Sequence, residues 1–344
     1  MKVSVIRGVD LTVEHVDAWS AFQTSNSALE SPFFRPEFTQ AVARDDGNVY
    51  VGILHQPSGG FAGFFPFRSV RPGYGTSLEM CDYQGVIARP GLQFGATEIV
   101  RGCGLKVWEF DHLLSTQQAF KNFHTYEADS PIINLEIGYD AYIENLNETG
   151  RKQLAKIATS TRKVERELGA LRFVQDCHDV SVMAKMHEWR ALKYGALPQR
   201  SHNALEIIRQ TKTDEFGGIL SALYAGDQLI AVHFGIRSRT VWHWWFPTYN
   251  PDLPSRYAPG LLLLLNMAQT NSLLGTRMID LGKGKQDYKD KFRNDSSTVA
   301  TGSVDVISLS NVPRIVRRQC ANFVRNTPSL LNLARTAKRV MGRK

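Results

Sequence analysis

Several short stretches carry residue types spaced so that they could do chemistry. In Asp280-Leu281-Gly282-Lys283-Gly284-Lys285-Gln286-Asp287-Tyr288-Lys289, a carboxylate is followed by two glycines and then by a phenol and an amine. Asp280 in such a setting can take a proton from an incoming amine or hydroxyl. Tyr288 or Lys289 can stabilise an oxyanion or protonate a leaving thiolate. The same residues would serve equally as a helix cap and a solvated lysine. Arg256-Tyr257-Ala258-Pro259-Gly260-Leu261 reads as a helix start. Pro259 and Gly260 there let backbone approach a ligand, and the unpaired N–H groups of a first turn face any phosphate placed on them. An ordinary helix start explains the segment as well, since neither GxxxxGK[ST] nor GxGxxG is present.

His233, inside Leu229-Ile230-Ala231-Val232-His233-Phe234-Gly235, is either a second candidate base or a hydrogen-bonded core residue. Its partner strand, Trp242-His243-Trp244-Trp245-Phe246, must place tryptophan rings on both faces of a sheet, so that one face can line a cleft containing Trp244 and Tyr249. Trp19, Trp108 and Trp189 read as core. Asp82-Tyr83-Gln84-Gly85 fits a β-turn or a substrate-facing loop. No metal-binding spacing is evident. Cys81, Cys103, Cys177 and Cys320 are widely separated and read as structural thiols of a reducing compartment.

The elements that must position these residues are clearest in the second half. Hydrophobic periodicity predicts helices over 180–195 and 202–209, strands over 218–224, 228–237 and 240–249, and a helix over 260–274. A strand over 277–281, a basic helix over 286–292 and a strand over 298–307 follow. This order, hairpins plus one strand–helix–strand crossover, predicts a mixed α/β sheet of α+β character. In the first half, helices are expected over 13–23 and 36–43, with strands over 49–54, 63–70, 78–87 and 107–110. A basic helical segment spanning 139–168, with Arg151, Lys152, Lys156, Arg162, Lys163 and Arg166, reads as the bridge between the halves.

Composition sets the class. The 344 residues are 43% hydrophobic and 22% charged, which excludes a disordered chain. The net charge of +8 suggests nucleic acid until it is located. Nine basic and no acidic residues lie between Pro313 and Lys344, leaving 32 basic against 33 acidic residues before them. Leu330, Leu333, Ala334, Ala337, Val340 and Met341 form an apolar stripe opposite Arg335, Lys338 and Arg339. Such a basic amphipathic tail either lies on an anionic membrane surface or packs on the body. With no signal-peptide pattern and no apolar run of spanning length, the expected location is cytoplasmic, with peripheral contact at the inner membrane surface under the first of these readings.

Taken together, Tyr249-Asn250, Ala258-Pro259-Gly260 with its leucine run, and Asp280-Leu281-Gly282-Lys283-Gly284 followed by Tyr288-Lys289 resemble the GNAT acyltransferases of the CelD and Fem-like group. That group is associated with bacterial polysaccharide and envelope biosynthesis. Its common form reads S-P-G, D-F-G-x-G and Y-K; Ala258 replaces the Ser here and Leu281 the Phe. The match covers about residues 150–300, with looser echoes at Ser31-Pro32-Phe33 and Asp82-Tyr83. The resemblance implies a GNAT fold of two GNAT-like halves around a central cleft: a degenerate half over 1–147, an acyltransferase half over 148–310, and the tail over 311–344. It also implies an acyl-CoA co-substrate, with no permanently bound cofactor, held through Arg256, Ala258, Pro259, Gly260 and Leu261. The acyl group would pass to an amine or hydroxyl of a sugar or envelope precursor. Asp280 is then the first choice of base and His233 the second. Tyr288 and Lys289 take positioning or oxyanion roles, and Trp244, Tyr249, Asp82 and Tyr83 face substrate. Two alternatives stand beside this. One is a Fem-like transferase using aminoacyl-tRNA on the basic 151–166 surface, the only reading that brings in nucleic acid. The other is a non-catalytic scaffold of a polysaccharide-synthesis complex.

Overall fold

Residues 1–307 are described by the structure, a computed structural model; the C-terminal segment on which the amphipathic-tail reading rests, Cys320 included, lies outside them. The strands are β1 (Lys2–Arg7), β2 (Val49–His55), β3 (Phe61–Arg71), β4 (Tyr74–Thr76), β5 (Ile87–Ala88), β6 (Val107–Leu114) and β7 (His124–Asn134), then β8 (Leu171–Val174), β9 (Gly217–Ala225), β10 (Gln228–Arg237), β11 (Val241–Tyr249), β12 (Met278–Asp280) and β13 (Asp295–Asp305). The helices are α1 (Val13–Thr24), α2 (Pro36–Asp45), α3 (Ala96–Gly102), α4 (Tyr139–Glu144) and α5 (Glu148–Leu168), then α6 (Val180–Tyr194), α7 (Gln199–Gln210), α8 (Pro259–Leu273) and α9 (Asp287–Phe292).

The strands join in one mixed sheet in the order β1-β2-β3-β4-β6-β13-β7-β12-β11-β10-β9-β8, with β5 beside β3. β13, late in the chain, lies between β6 and β7, and β7 in turn borders β12. The early and late parts of the chain are therefore laced through the same hydrogen-bond ladder. The β9–β10–β11 meander is antiparallel, and α8 carries the chain over to β12, which is parallel to β11 as the crossover reading requires.

Alternation along β11 sorts its aromatic side chains. Trp242 and Trp244 fall in the apolar cluster under α8, with Leu262–Leu265, Met267 and Phe292. Trp245 packs on the opposite cluster, which contains Phe33, Phe38 and Phe234. The expected presence of rings on both faces is met. The first three turns of α8 run through the core around Trp242 and Trp244 with Leu263, Leu264, Met267 and Ala268 fully buried, and its last turn emerges into solvent at Gln269 and Leu273. Trp19 and Trp108 are fully buried and Trp189 nearly so, and Cys81, Cys103 and Cys177 are buried free thiols.

Two expectations from periodicity are corrected. The strand expected over 78–87 is an irregular loop between β4 and β5. Met80 (φ 58°) and Gly85 (φ 148°) break its extension, and Gln84 clamps it to β6 by donating to the Cys81 carbonyl and Asp111 while accepting from the Asp111 and His112 amides. The single helix expected over 139–168 is two, because Asn147 accepts from the Gly150 amide and caps α5 afresh.

Candidate active site

β11 and β12 pair only over Val241↔Met278, Trp242↔Ile279 and His243↔Asp280. Beyond that point β11 runs on to Tyr249 while the other chain turns away through Leu281-Gly282-Lys283, so the two part and a cleft of about 600 Å³ opens between them. Its walls include Trp244 to Tyr249, Ala258 to Leu261, Leu281 to Lys283, Tyr288 and Lys289. Ala258, at φ 49° and ψ 45°, turns the chain into α8, and Pro259 occupies the first helical position, where no N–H is needed. The Leu261 and Leu262 amides donate to the Ala258 carbonyl at 2.9 and 3.1 Å, so the Gly260 amide is the first-turn donor left beside the cleft, with the positive end of a long helix behind it. Gly260 also lies against the Tyr249 ring.

Asp280 sits beneath this cleft, 3% exposed, and three groups donate to it. Ser130 Oγ and the Gly282 amide reach Oδ1, each at 2.7 Å, and the Tyr83 hydroxyl reaches Oδ2 at 2.5 Å. Burial above all, and then the Asp280 charge, push the Tyr83 phenol far above its ordinary pKa, so it remains a donor. Neither Asp280 nor Tyr83 lines the cleft, so the expected base and one expected substrate contact form a brace below its floor. His233 lies outside the cleft lining as well. It is fully buried, stacked on Trp244 at 4.4 Å, and accepts from the Trp245 amide at 3.2 Å. Burial holds its pKa down at about 3, with nearby His243 adding to the effect. Arg256 lies outside the lining, with its guanidinium over the Tyr257 ring and 3.7 Å from Glu167.

The other named residues do converge. Lys289, 5% exposed, donates to the Gly282 carbonyl at 2.8 Å and pins the turn that shapes the cleft. Burial lowers its pKa, against the opposing pull of Asp280 and Asp82. The Tyr288 hydroxyl accepts from Trp244 Nε1 at 3.2 Å and keeps its own proton, since burial raises its pKa to about 12. Asp82 reaches the cleft from the 77–86 loop.

Sequence reading did not single out His243. Fully buried and edge-on to Phe33, it lies between two carboxylates, with Nε2 2.9 Å from Asp82 Oδ2 and Nδ1 3.7 Å from Asp280 Oδ1. Burial alone would raise the Asp82 pKa, but the His243 hydrogen bond and charge, helped by His112, more than offset it and leave it lowered. The pairing of His243 with Asp280 in the β11–β12 register was the available signal, hidden because three tryptophans dominated the strand.

Residues 151–290 match the family model described as the acetyltransferase (GNAT) domain. The chain carries a GNAT-type acetyltransferase domain. Its fold is shared with three solved structures. One is FemX (TM-score 0.58, 9% identity, 92% of this chain and 100% of that one). Another is the C-terminal domain of a putative lysylphosphatidylglycerol synthetase from Agrobacterium fabrum (0.55, 11%, 88% and 94%). The third is L-PGS from Bacillus licheniformis (0.53, 10%, 89% and 96%). No curated protein sequence matches the chain. The matched segment of the GNAT domain contains the β11–α8–β12 crossover, the whole Asp280–Lys289 stretch and the α8 N-terminus.

Charge divides the surroundings of the GNAT domain's cleft. Arg190, Lys193, Lys283 and Lys289 line it against one carboxylate, Asp82. A second cleft, of about 610 Å³, lies on the far side of Asp82. Its lining has Glu79, Asp82, Glu109 and Asp111 and neither Lys nor Arg. Among the described residues, no group of three or more His, Cys, Asp or Glu is placed to hold a metal ion, and no helix is long and apolar enough to cross a membrane.

Proposed function

We propose that the protein is an acyltransferase that takes an acyl group from acyl-CoA and delivers it to an amine or hydroxyl of a sugar or envelope precursor. The observation that carries this reading is the first cleft: a helix N-terminus and four cationic side chains around a partly apolar channel that ends at a carboxylate. An acyl thioester bearing a pyrophosphate matches that layout from end to end. The phosphates would rest on the α8 first turn, where the Gly260 amide and helix dipole favour an anion. The thioester would lie beside Trp244 and Tyr288. As the C–S bond breaks, the Tyr288 hydroxyl, which accepts from Trp244 in the cleft wall, would give its proton to the departing sulfur, and Lys289 holds the turn beside it. Asp280 acts as the brace of that floor.

Likeness to FemX and to the lysylphosphatidylglycerol synthetases supports an envelope acceptor, and a peripheral contact of the C-terminal segment with the inner membrane surface would fit it. It also keeps a second donor in view, aminoacyl-tRNA, because Arg151, Lys152, Lys156, Arg162 and Arg166 are exposed along α5. The division into an early GNAT-like half over 1–147 and an acyltransferase half over 148–310 belongs to the same proposal. Incubating the purified protein with radiolabelled acetyl-CoA and a panel of amino sugars tests the donor. Label transfer with thermal stabilisation by CoA supports the reading. Salt-sensitive tRNA binding without either effect would replace it with the aminoacyl-tRNA reading.

A further inference from the structure

The second cleft holds a titratable cluster that the acyltransferase reading does not use. β6 and β13 pair as Phe110↔Gly302 and Leu113↔Ala300, so Asp111 and His112 together oppose Thr301. This is a β-bulge, a device that re-aims side chains which would otherwise alternate across a sheet. Here both Asp111 and His112 line the second cleft with Asp82. His112 Nδ1 lies 3.1 Å from Asp111 Oδ1, and its Nε2 lies 3.8 Å from Asp82 Oδ1. The first contact pairs the ring with a carboxylate by charge, without an aligned hydrogen bond at Nδ1. The second is too long for a hydrogen bond and leaves room at Nε2 for a third group.

Each of these positions is held from behind. Gln84 bonds the Asp111 carboxylate, the Asp111 amide and the His112 amide. His243 fixes Asp82, and Lys283 Nζ rests on the Asp111 carbonyl at 2.6 Å. An imidazole paired with one carboxylate and open at its other nitrogen is the arrangement a general base needs. Asp82 lines both clefts, so a group beside it in the second cleft lies next to the thioester end of the first.

We propose that His112 is the general base of the transfer, paired with Asp111, and that the acceptor enters through the second cleft. This rests on the acyltransferase reading. The acceptor X–H gives its proton to His112 Nε2, and its electron pair forms the bond to the thioester carbonyl carbon. Collapse of the tetrahedral intermediate breaks the C–S bond, and the sulfur takes a proton from Tyr288. Solvent in the two clefts removes the proton from His112 and restores that of Tyr288, so the net change is X–H plus thioester to X–acyl plus thiol. Asp82 steadies the imidazolium while it exists.

The test measures free thiol released from acetyl-CoA with the amino-sugar panel and with water alone, for wild type, His112→Ala, His112→Gln and Asp111→Asn. The expected result is a loss in kcat of about 100-fold or more for both His112 variants. The KM for acetyl-CoA stays unchanged, and the Asp111→Asn loss is smaller. Added imidazole restores turnover to His112→Ala, whose cavity admits it, and not to His112→Gln. Wild-type kcat in His112→Gln, or a folded His112→Ala that imidazole does not rescue, overturns the role of His112 while transfer stands. Failure of wild type to release thiol with any acceptor removes the acyltransferase reading and this proposal with it.

Discussion

Replacing Tyr83 by Phe removes one hydroxyl and nothing else, and the structure makes the consequence unequal to that of neighbouring changes. Asp280 Oδ2 has Tyr83 as its hydrogen-bond donor, whereas Oδ1 is shared by Ser130 and the Gly282 amide. With Asp280 3% exposed, no bulk water replaces the lost partner. A charge-assisted hydrogen bond in such a place contributes about 1.5–3 kcal/mol, and leaving a charged acceptor bare puts Tyr83→Phe in the upper part of that range. Ser130→Ala keeps one donor on Oδ1 and should cost about 1 kcal/mol. Urea unfolding of both variants, with Asp280→Asn and Tyr83→Phe/Asp280→Asn completing a double-mutant cycle, isolates the pair. The expected coupling is about 2 kcal/mol. A coupling below roughly 0.5 kcal/mol, or a Ser130→Ala cost exceeding that of Tyr83→Phe, would refute the assignment of Asp280 as a brace held chiefly from the 77–86 loop.

Two further outcomes follow from the site. Buried neutral His233 has a folded pKa of about 3, below that of the unfolded chain, so the unfolded state binds its proton first as pH falls. Its share of stability is therefore complete above about pH 6.5 and is lost on the way down towards pH 3, at up to about 1.4 kcal/mol per pH unit. His233→Asn should flatten the acid limb of a stability–pH curve by one proton, and an unchanged slope would contradict this. Gly282 has φ 73°, and a side chain there would lie 3.5 Å from Asp82 Oδ2 and 3.6 Å from His243 Nε2. Gly282→Ala should lose about 1–2 kcal/mol of stability through backbone strain and lower kcat by covering one edge of Asp82, read by thermal melts and the transfer assay.

What the sequence made legible was governed by short-range rules. The β9–β10–β11 meander, the α8 start at Ala258-Pro259-Gly260 and the crossover to β12 rest on local periodicity, and they stand where expected. Leu78, Met80 and Val86 predict an extended strand over 78–87, while the Gln84 bonds that hold the 77–86 loop to β6 come from residues 27 and 28 positions away. Asp280 and His233 had the right chemistry for a base, but their burial depends on Tyr83, Ser130 and Trp244, which no spacing rule brings together. His112 is hidden for the same reason: the bulge that aims it exists only in the pairing of β6 with β13, which joins residues 190 positions apart.

The central claim is that the first cleft holds a phosphate-bearing thioester on the first turn of α8. Calorimetric titration of the full chain with CoA, wild type beside Gly260→Asp, addresses it most directly. The variant puts a carboxylate where the phosphates would lie, and an acid at a helix N-terminus does not weaken the helix. The account predicts saturable binding by wild type and at least about tenfold weaker binding, or 1.4 kcal/mol, by the variant. No binding by wild type, or equal binding by both, would contradict it.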